Sequence, residues 1–179
     1  MYKPPGNPQM LELQKTHKDR RVNASSIKCP TIDGKKLCAY CAKEPITGHR
    51  SRKYCSTACQ TLMYAWISPQ KEEGLAMLLM RQDWKCAECL YDYAPLMAQL
   101  LANGRVYNKP VDFRLEYNYS LIKRIKQNAE KGRKPEVDHV LAISKGGQSI
   151  GLENVRCLCY LCHKAKTKID NSGPRQKKS

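Results

Sequence analysis

Cysteine spacing constrains this chain more than any other feature. Eight of its ten cysteines fall into four pairs: Cys38-x2-Cys41, Cys55-x3-Cys59, Cys86-x2-Cys89 and Cys159-x2-Cys162. A pair two or three residues apart fits a tight turn that offers two sulfurs to one ion, and two such turns close a tetrahedral structural zinc site. Aromatic residues make up only 7% of the 179 residues, with one Phe and two Trp. A core built from side chains alone would be thin, and metal staples supply the missing stability. The start, MYKPPGNPQM, has no apolar signal region, and no apolar stretch is long enough to span a bilayer. An intracellular setting with reduced thiols is expected, so paired cysteines read as metal ligands rather than disulfides.

Charge narrows the partners. Lys and Arg number 32 against 16 Asp and Glu, a formal net charge of +16. Such a field concentrates polyanions and makes binding salt-dependent, which points to nucleic acid. A membrane-surface role would need an amphipathic helix or a lipid anchor, and neither is evident.

The chain divides into segments. Residues 1–37 read as a basic, Pro-containing arm, flexible or loosely docked. Residues 38–69 form a finger on Cys38, Cys41, Cys55 and Cys59. Its second half is expected to be helical, capped by Ser56 or Thr57, with Leu62, Met63 and Trp66 on one face and a stop before Pro69. Residues 70–83 suit a connecting helix with Leu75, Leu78 and Leu79 at helical spacing. Residues 84–169 form a second module on Cys86, Cys89, Cys159 and Cys162, interrupted by a largely helical insert, 90–134, and followed by a basic tail, 170–179. Within the insert, Pro95 suits the first turn of a helix, Phe113 to Tyr119 alternate like a strand, and Leu121, Ile122, Ile125 and Ala129 fit a helix with Lys123, Arg124 and Lys126 outside. The expected class is α+β, built from small zinc-stabilised modules.

Residues 136–170 carry the chemistry. Glu136–Leu141 suits a strand, Lys145-Gly146-Gly147-Gln148 a loop, Val155–Leu158 a second strand, and the polar run from His163 a helix. That order is a ββα unit. Asp138 and His139 are neighbours on the first strand, where side chains alternate, so a break is needed for both to serve one site. Cys162 and His163 diverge by about 100° on a helix, so one can face zinc and the other a second metal. His139 suits a general base. Asp138 and His163 offer one oxygen and one nitrogen to a divalent ion, Mg²⁺ by preference, with Mn²⁺, Co²⁺ or Ni²⁺ admitted by the imidazole. Lys145, Arg156 and Lys166 are candidate phosphate contacts.

Asp138-His139, the Gly-Gly loop, Glu153-Asn154-Val155 and Cys159-x2-Cys162-His163, with Trp84-x-Cys86-x2-Cys89 upstream, resemble the four-cysteine branch of the HNH endonucleases. The stretch Arg52-Lys53-Tyr54-Cys55-Ser56 resembles a treble-clef-like finger. The resemblance implies a ββα-metal site for hydrolysing DNA phosphodiester bonds, with Asp138 and His163 as metal ligands, His139 as general base and Asn154 orienting the loop. It implies two structural Zn²⁺ and one catalytic divalent ion. The expected partner is DNA, double-stranded by preference, met by a homodimer or within a larger DNA-processing complex. A non-catalytic zinc-dependent DNA-binding protein and a zinc-finger interaction adaptor are the alternatives. An iron–sulfur cluster is the alternative occupant of the second cysteine set, and His49 the alternative ligand in the first. Cys29 and Cys157 are left over, the first as a free thiol and the second as a small buried hydrophobe.

Overall fold

The computed structural model describes residues 4–16, 22–47, 52–103 and 118–172. His17, His49, most of the expected 113–119 strand and the end of the basic tail lie outside them. The fold is α+β: six helices and two small antiparallel sheets among the described residues.

The two cysteine turns that open the modules share the same first turn, although the sequences around them differ and the first closes one residue later than the second. In the first, Ala42 N–H bonds to the Cys38 carbonyl and Cys38 N–H to the Glu44 carbonyl. In the second, Leu90 N–H bonds to the Cys86 carbonyl and Cys86 N–H to the Tyr91 carbonyl. Ala42 and Leu90, each four residues after its first cysteine, both have left-handed φ, 54° and 59°. Non-glycine residues rarely hold that conformation unless their surroundings impose it.

The finger is completed by α2 (Thr57–Ile67). Ser56 caps it, its hydroxyl accepting from Cys59 N–H at 3.2 Å. Met63 and Trp66 are fully buried, and the helix ends one residue before the Ser68-Pro69 pair. The arm is not loosely docked. Its described residues form α1 (Pro8–Thr16) and a hairpin of β1 (Thr31–Ile32) and β2 (Lys35–Lys36). The hairpin turns at Asp33-Gly34, both at positive φ, as a two-residue turn requires. Met10 and Ile27 are fully buried in the finger's core. Asn7, 2% exposed, fastens the arm: its amide donates to the Ala39 and Lys28 carbonyls at 2.7 and 2.9 Å. Asn7 and its partners are far apart in the sequence, so no local pattern announced the docking.

The second module is built on α3 (Glu72–Arg81), buried from Gly74 to Leu79. It packs against α2 and against α5 (Asn118–Asn128), with α4 (Ala94–Asn103) behind. Leu121, Ile122 and Ile125 turn α5 inward, while Lys126 pairs with Glu72 at 3.8 Å. Tyr119 lies in α5, so the expected strand does not reach it: the apolar spacing continued by Leu121, Ile122 and Ile125 is helical, and it outweighs the short alternation before it.

The ββα unit consists of β3 (Pro135–His139), β4 (Val155–Cys159) and α6 (Tyr160–Ser172). β3 and β4 pair antiparallel without a bulge, from Pro135 opposite Cys159 to His139 opposite Val155. α6 begins three residues before His163, at Tyr160. The end of α3 holds β4 in place. The Gln82 amide bonds both backbone groups of Cys157, accepting from its N–H at 2.7 Å and donating to its carbonyl at 3.0 Å. The Arg81 guanidinium donates to the Leu152 and Val155 carbonyls at 2.8 and 2.7 Å. Two side chains thus serve β4 as a third strand would.

The two cores meet at Leu62 of α2, which packs against both, and at one loop. Ile150 is buried in the finger's core and Leu152 in the core of the second module. Between them Gly151, at φ +89°, donates its N–H to the Trp66 carbonyl at 2.8 Å.

Candidate metal and nuclease site

Each cysteine set closes into a cluster. The sulfurs of Cys38, Cys41, Cys55 and Cys59 lie within 4.8 Å of one another, as do those of Cys86, Cys89, Cys159 and Cys162. Cys41 and Cys55 sulfurs are 3.9 Å apart, and Cys89 and Cys159 sulfurs 3.8 Å. Tetrahedral Zn–S bonds of about 2.3 Å place sulfurs about 3.8 Å apart, so both sets fit zinc. Cys29 and Cys157 stand outside the clusters. Cys157 is fully buried, and burial pushes its thiol well up.

Arg133 braces the second set. Its guanidinium donates to Cys89 Sγ at 3.4 Å and Cys159 Sγ at 3.6 Å, and lies 5.1 Å from the centre of the Tyr91 ring. Its carbonyl accepts from Tyr93 Oη at 2.8 Å. Burial raises the Cys159 thiol, but hydrogen bonds from the Cys162 backbone and Arg133 overcome it and bring the group down to about 7.

The ββα unit gathers its polar side chains around an open cavity of about 280 Å³, lined by Asp138, His139, His163, Lys166 and Asp170 among others. The pairing of β3 and β4 stays regular through Asp138 and His139. The two side chains reach one cavity because the strand ends at His139. Asp138 is 6% exposed and faces α6. His139, at the terminus, is half-buried, and burial, partly offset by Asp138, pulls its imidazole below the ordinary 6.5. His163 Nε2 lies 3.9 Å from Asp138 Oδ1. Two ligands of one ion with bonds of about 2.1 Å are separated by about 3–4 Å, so the pair fits a shared cation.

Glu136 completes this corner, and sequence reasoning missed it. Its Oε2 lies 2.7 Å from His163 Nδ1. A carboxylate accepts, so Nδ1 carries the hydrogen, and in the neutral ring Nε2, the nitrogen facing Asp138, keeps its lone pair. The available signal was alternation: Glu136 and Asp138 are two apart on one strand and share a face.

Asn154 lies off the cavity and ties its rim. Its Oδ1 accepts from Leu141 N–H at 2.9 Å, and its amide donates to the carbonyls of Leu141 at 2.9 Å and Gln148 at 3.1 Å. Gly147 makes room: a Cβ there would stand 1.9 Å from the Leu141 carbonyl oxygen.

The three candidate phosphate contacts are already engaged in ion pairs. Arg156 reaches Asp138 at 3.3 Å and Glu88 at 2.9 Å. Lys145 meets Asp170 at 3.1 Å, and Lys166 meets Asp170 at 2.5 Å and Asp138 at 3.4 Å. A second open groove, about 600 Å³, runs along α6 on the side of His163 and Glu136, lined also by Tyr160, Lys164 and Lys168.

Residues 126–168 match the family model described as HNH endonuclease. Over 145 residues, 75% of this chain, the sequence is 22% identical to the mouse (Mus musculus) protein named DNA annealing helicase and endonuclease ZRANB3, and the aligned part is 13% of that relative's length. No solved structure matches the chain.

Proposed function

We propose that the HNH endonuclease domain formed by residues 126–168 makes this chain a divalent-metal-dependent DNA endonuclease. The observation that carries the reading is the single cavity shared by Asp138, His139 and His163, with the His163 ring fixed by Glu136.

In this reading Asp138 and His163 hold one divalent cation, Mg²⁺ or Mn²⁺ by preference, with Co²⁺ and Ni²⁺ also compatible. When bound, the ion supplies positive charge to the scissile phosphate and the leaving oxygen. His139, kept neutral by burial, takes the proton of the attacking water at a ring nitrogen. Glu136 keeps His163 in the ligating tautomer. Asn154 positions the loop without touching reactants. Lys166 and Arg156, beside Asp138, are oriented to stabilise developing negative charge. Each is now paired with a carboxylate, so phosphate contact has to displace or share those partners. Lys164 and Lys168, which line the α6 groove and make no ion pair among the described residues, are additional contacts for the backbone of a duplex. The two cysteine sets carry structural Zn²⁺.

Supercoiled plasmid incubated with Mg²⁺ or Mn²⁺ tests the proposal. Nicked or linear product is expected, suppressed by EDTA and by His139→Ala. Intact plasmid, or equal cleavage by His139→Ala, rejects it; the former leaves a non-catalytic DNA-binding protein. Defined duplex, branched and single-stranded substrates then identify the preferred form of DNA.

A further inference from the structure

The cavity has one more neighbour, and it comes from outside the ββα unit. Gln70 lies on the short connection between α2 and α3, at the junction of finger and second module. Its side-chain Nε2 stands 3.5 Å from His139 Nε2.

Both ends of this contact are anchored. Ser68 N–H closes α2 on the Tyr64 carbonyl, and Lys71 N–H bonds back to the Ser68 carbonyl at 3.0 Å. Pro69 is buried, and its carbonyl rests against α3 at Gly74, where a Cβ would stand 2.2 Å from the carbonyl oxygen. The backbone that presents Gln70 therefore has little freedom. On the other side, His139 ends β3 opposite Val155, and the next residue, Val140, donates its N–H to the Asn154 carbonyl at 2.9 Å.

A neutral imidazole has two tautomers, and only one leaves a lone pair on a given nitrogen. The tautomers differ so little in free energy that one ordinary hydrogen bond selects between them. The Gln70 atom that faces the ring is the amide nitrogen, which donates, so the contact favours the tautomer with the lone pair on Nε2 and the hydrogen on Nδ1. We propose that Gln70 is a positioning residue for His139, holding the ring in one tautomer and one orientation toward the cavity that it shares with Asp138 and His163. The inference rests on His139 being the proton acceptor of the proposed reaction. It extends the working site beyond residues 126–168, to a residue delivered by the finger junction.

Gln70 is exposed, so Q70A is expected to fold and keep both zinc ions. Two measurements on the full chain test the role. Long-range ¹H–¹⁵N spectra of the histidine rings, recorded without DNA, should show one tautomer of His139 in the wild type and a mixture in Q70A. Single-turnover plasmid cleavage by Q70A should slow about tenfold with DNA affinity unchanged. An unaltered His139 spectrum overturns the proposal whatever the rate does, and so does an altered spectrum with an unaltered rate. Cleavage by H139A at the wild-type rate would instead reject the endonuclease reading, while the spectrum still decides whether Gln70 and His139 pair.

Discussion

Glu136 and His163 are 27 residues apart in the chain, yet their side chains meet at 2.7 Å across the ββα unit. β3 supplies the carboxylate, α6 the imidazole, and the contact leaves His163 Nε2 turned to Asp138. Removing the carboxylate should loosen the ring without unfolding the unit. Glu136→Gln is expected to weaken Mn²⁺ binding about 10- to 100-fold, measured by calorimetry on DNA-free protein, with cleavage partly restored at high metal. Unchanged affinity would remove Glu136 from the metal site.

Burial holds the His139 imidazole below its ordinary 6.5, so its neutral form persists to lower pH than that of a free histidine. Cleavage at saturating metal should therefore climb with pH below 6.5 and be level through neutrality. The linked stability has the same direction. Because the folded group binds its proton less readily than the unfolded one, its contribution is complete above 6.5 and is lost as pH falls through the lower folded value. A rate profile that rises only above pH 7 would contradict this.

Asn154 and Gly147 act as one device. Gly147→Ala would place a methyl group against the Leu141 carbonyl and 2.7 Å from the Asn154 amide nitrogen. The main clash is with backbone, so the loop has to shift. Gly147→Ala and Asn154→Ala should both lower kcat, by about tenfold or more, with zinc content intact and DNA affinity nearly unchanged. Their double variant should be little worse than either alone, as expected of residues in one network. Additive losses would separate the two.

Arg133 donates from one nitrogen, Nη1, to two sulfurs of the second cysteine set while its planar guanidinium lies over the Tyr91 ring, and a point-charge amine does not reproduce that stacked placement. Arg133→Met should speed zinc release from this set to a chromogenic chelator about tenfold, while the first set releases at its wild-type rate. Arg133→Lys should recover only part of the loss. Equal acceleration at both sets would point to general loosening.

Much of this architecture was legible because it is written in local pattern. Cysteine spacing announced both clusters, Ser56 and Pro69 marked the ends of α2, and the Asp138-to-His163 run announced strand, loop, strand and helix. The rest depends on contacts that spacing does not encode. Gln82 beside β4, Asn7 under the finger and Glu136 behind His163 are each joined to partners by the fold alone. The Asp33-Gly34 pair carries its own turn signal, masked by the basic residues around it. Tyr119 ends an alternation of only four residues, a run too short to outweigh the helical pattern that follows.

The loop of Ile150, Gly151 and Leu152 has a consequence for anyone wishing to transplant the ββα unit. Its side chains enter two cores belonging to different stretches of chain, and its central N–H is satisfied by a carbonyl of α2. A fragment cut to residues 84–169 would bring Ile150 into water and leave that N–H without its acceptor, four residues or fewer from Asn154. Only a cut that keeps the finger attached carries the rim of the cavity with it, so the portable unit is longer than the segment by which it is recognised.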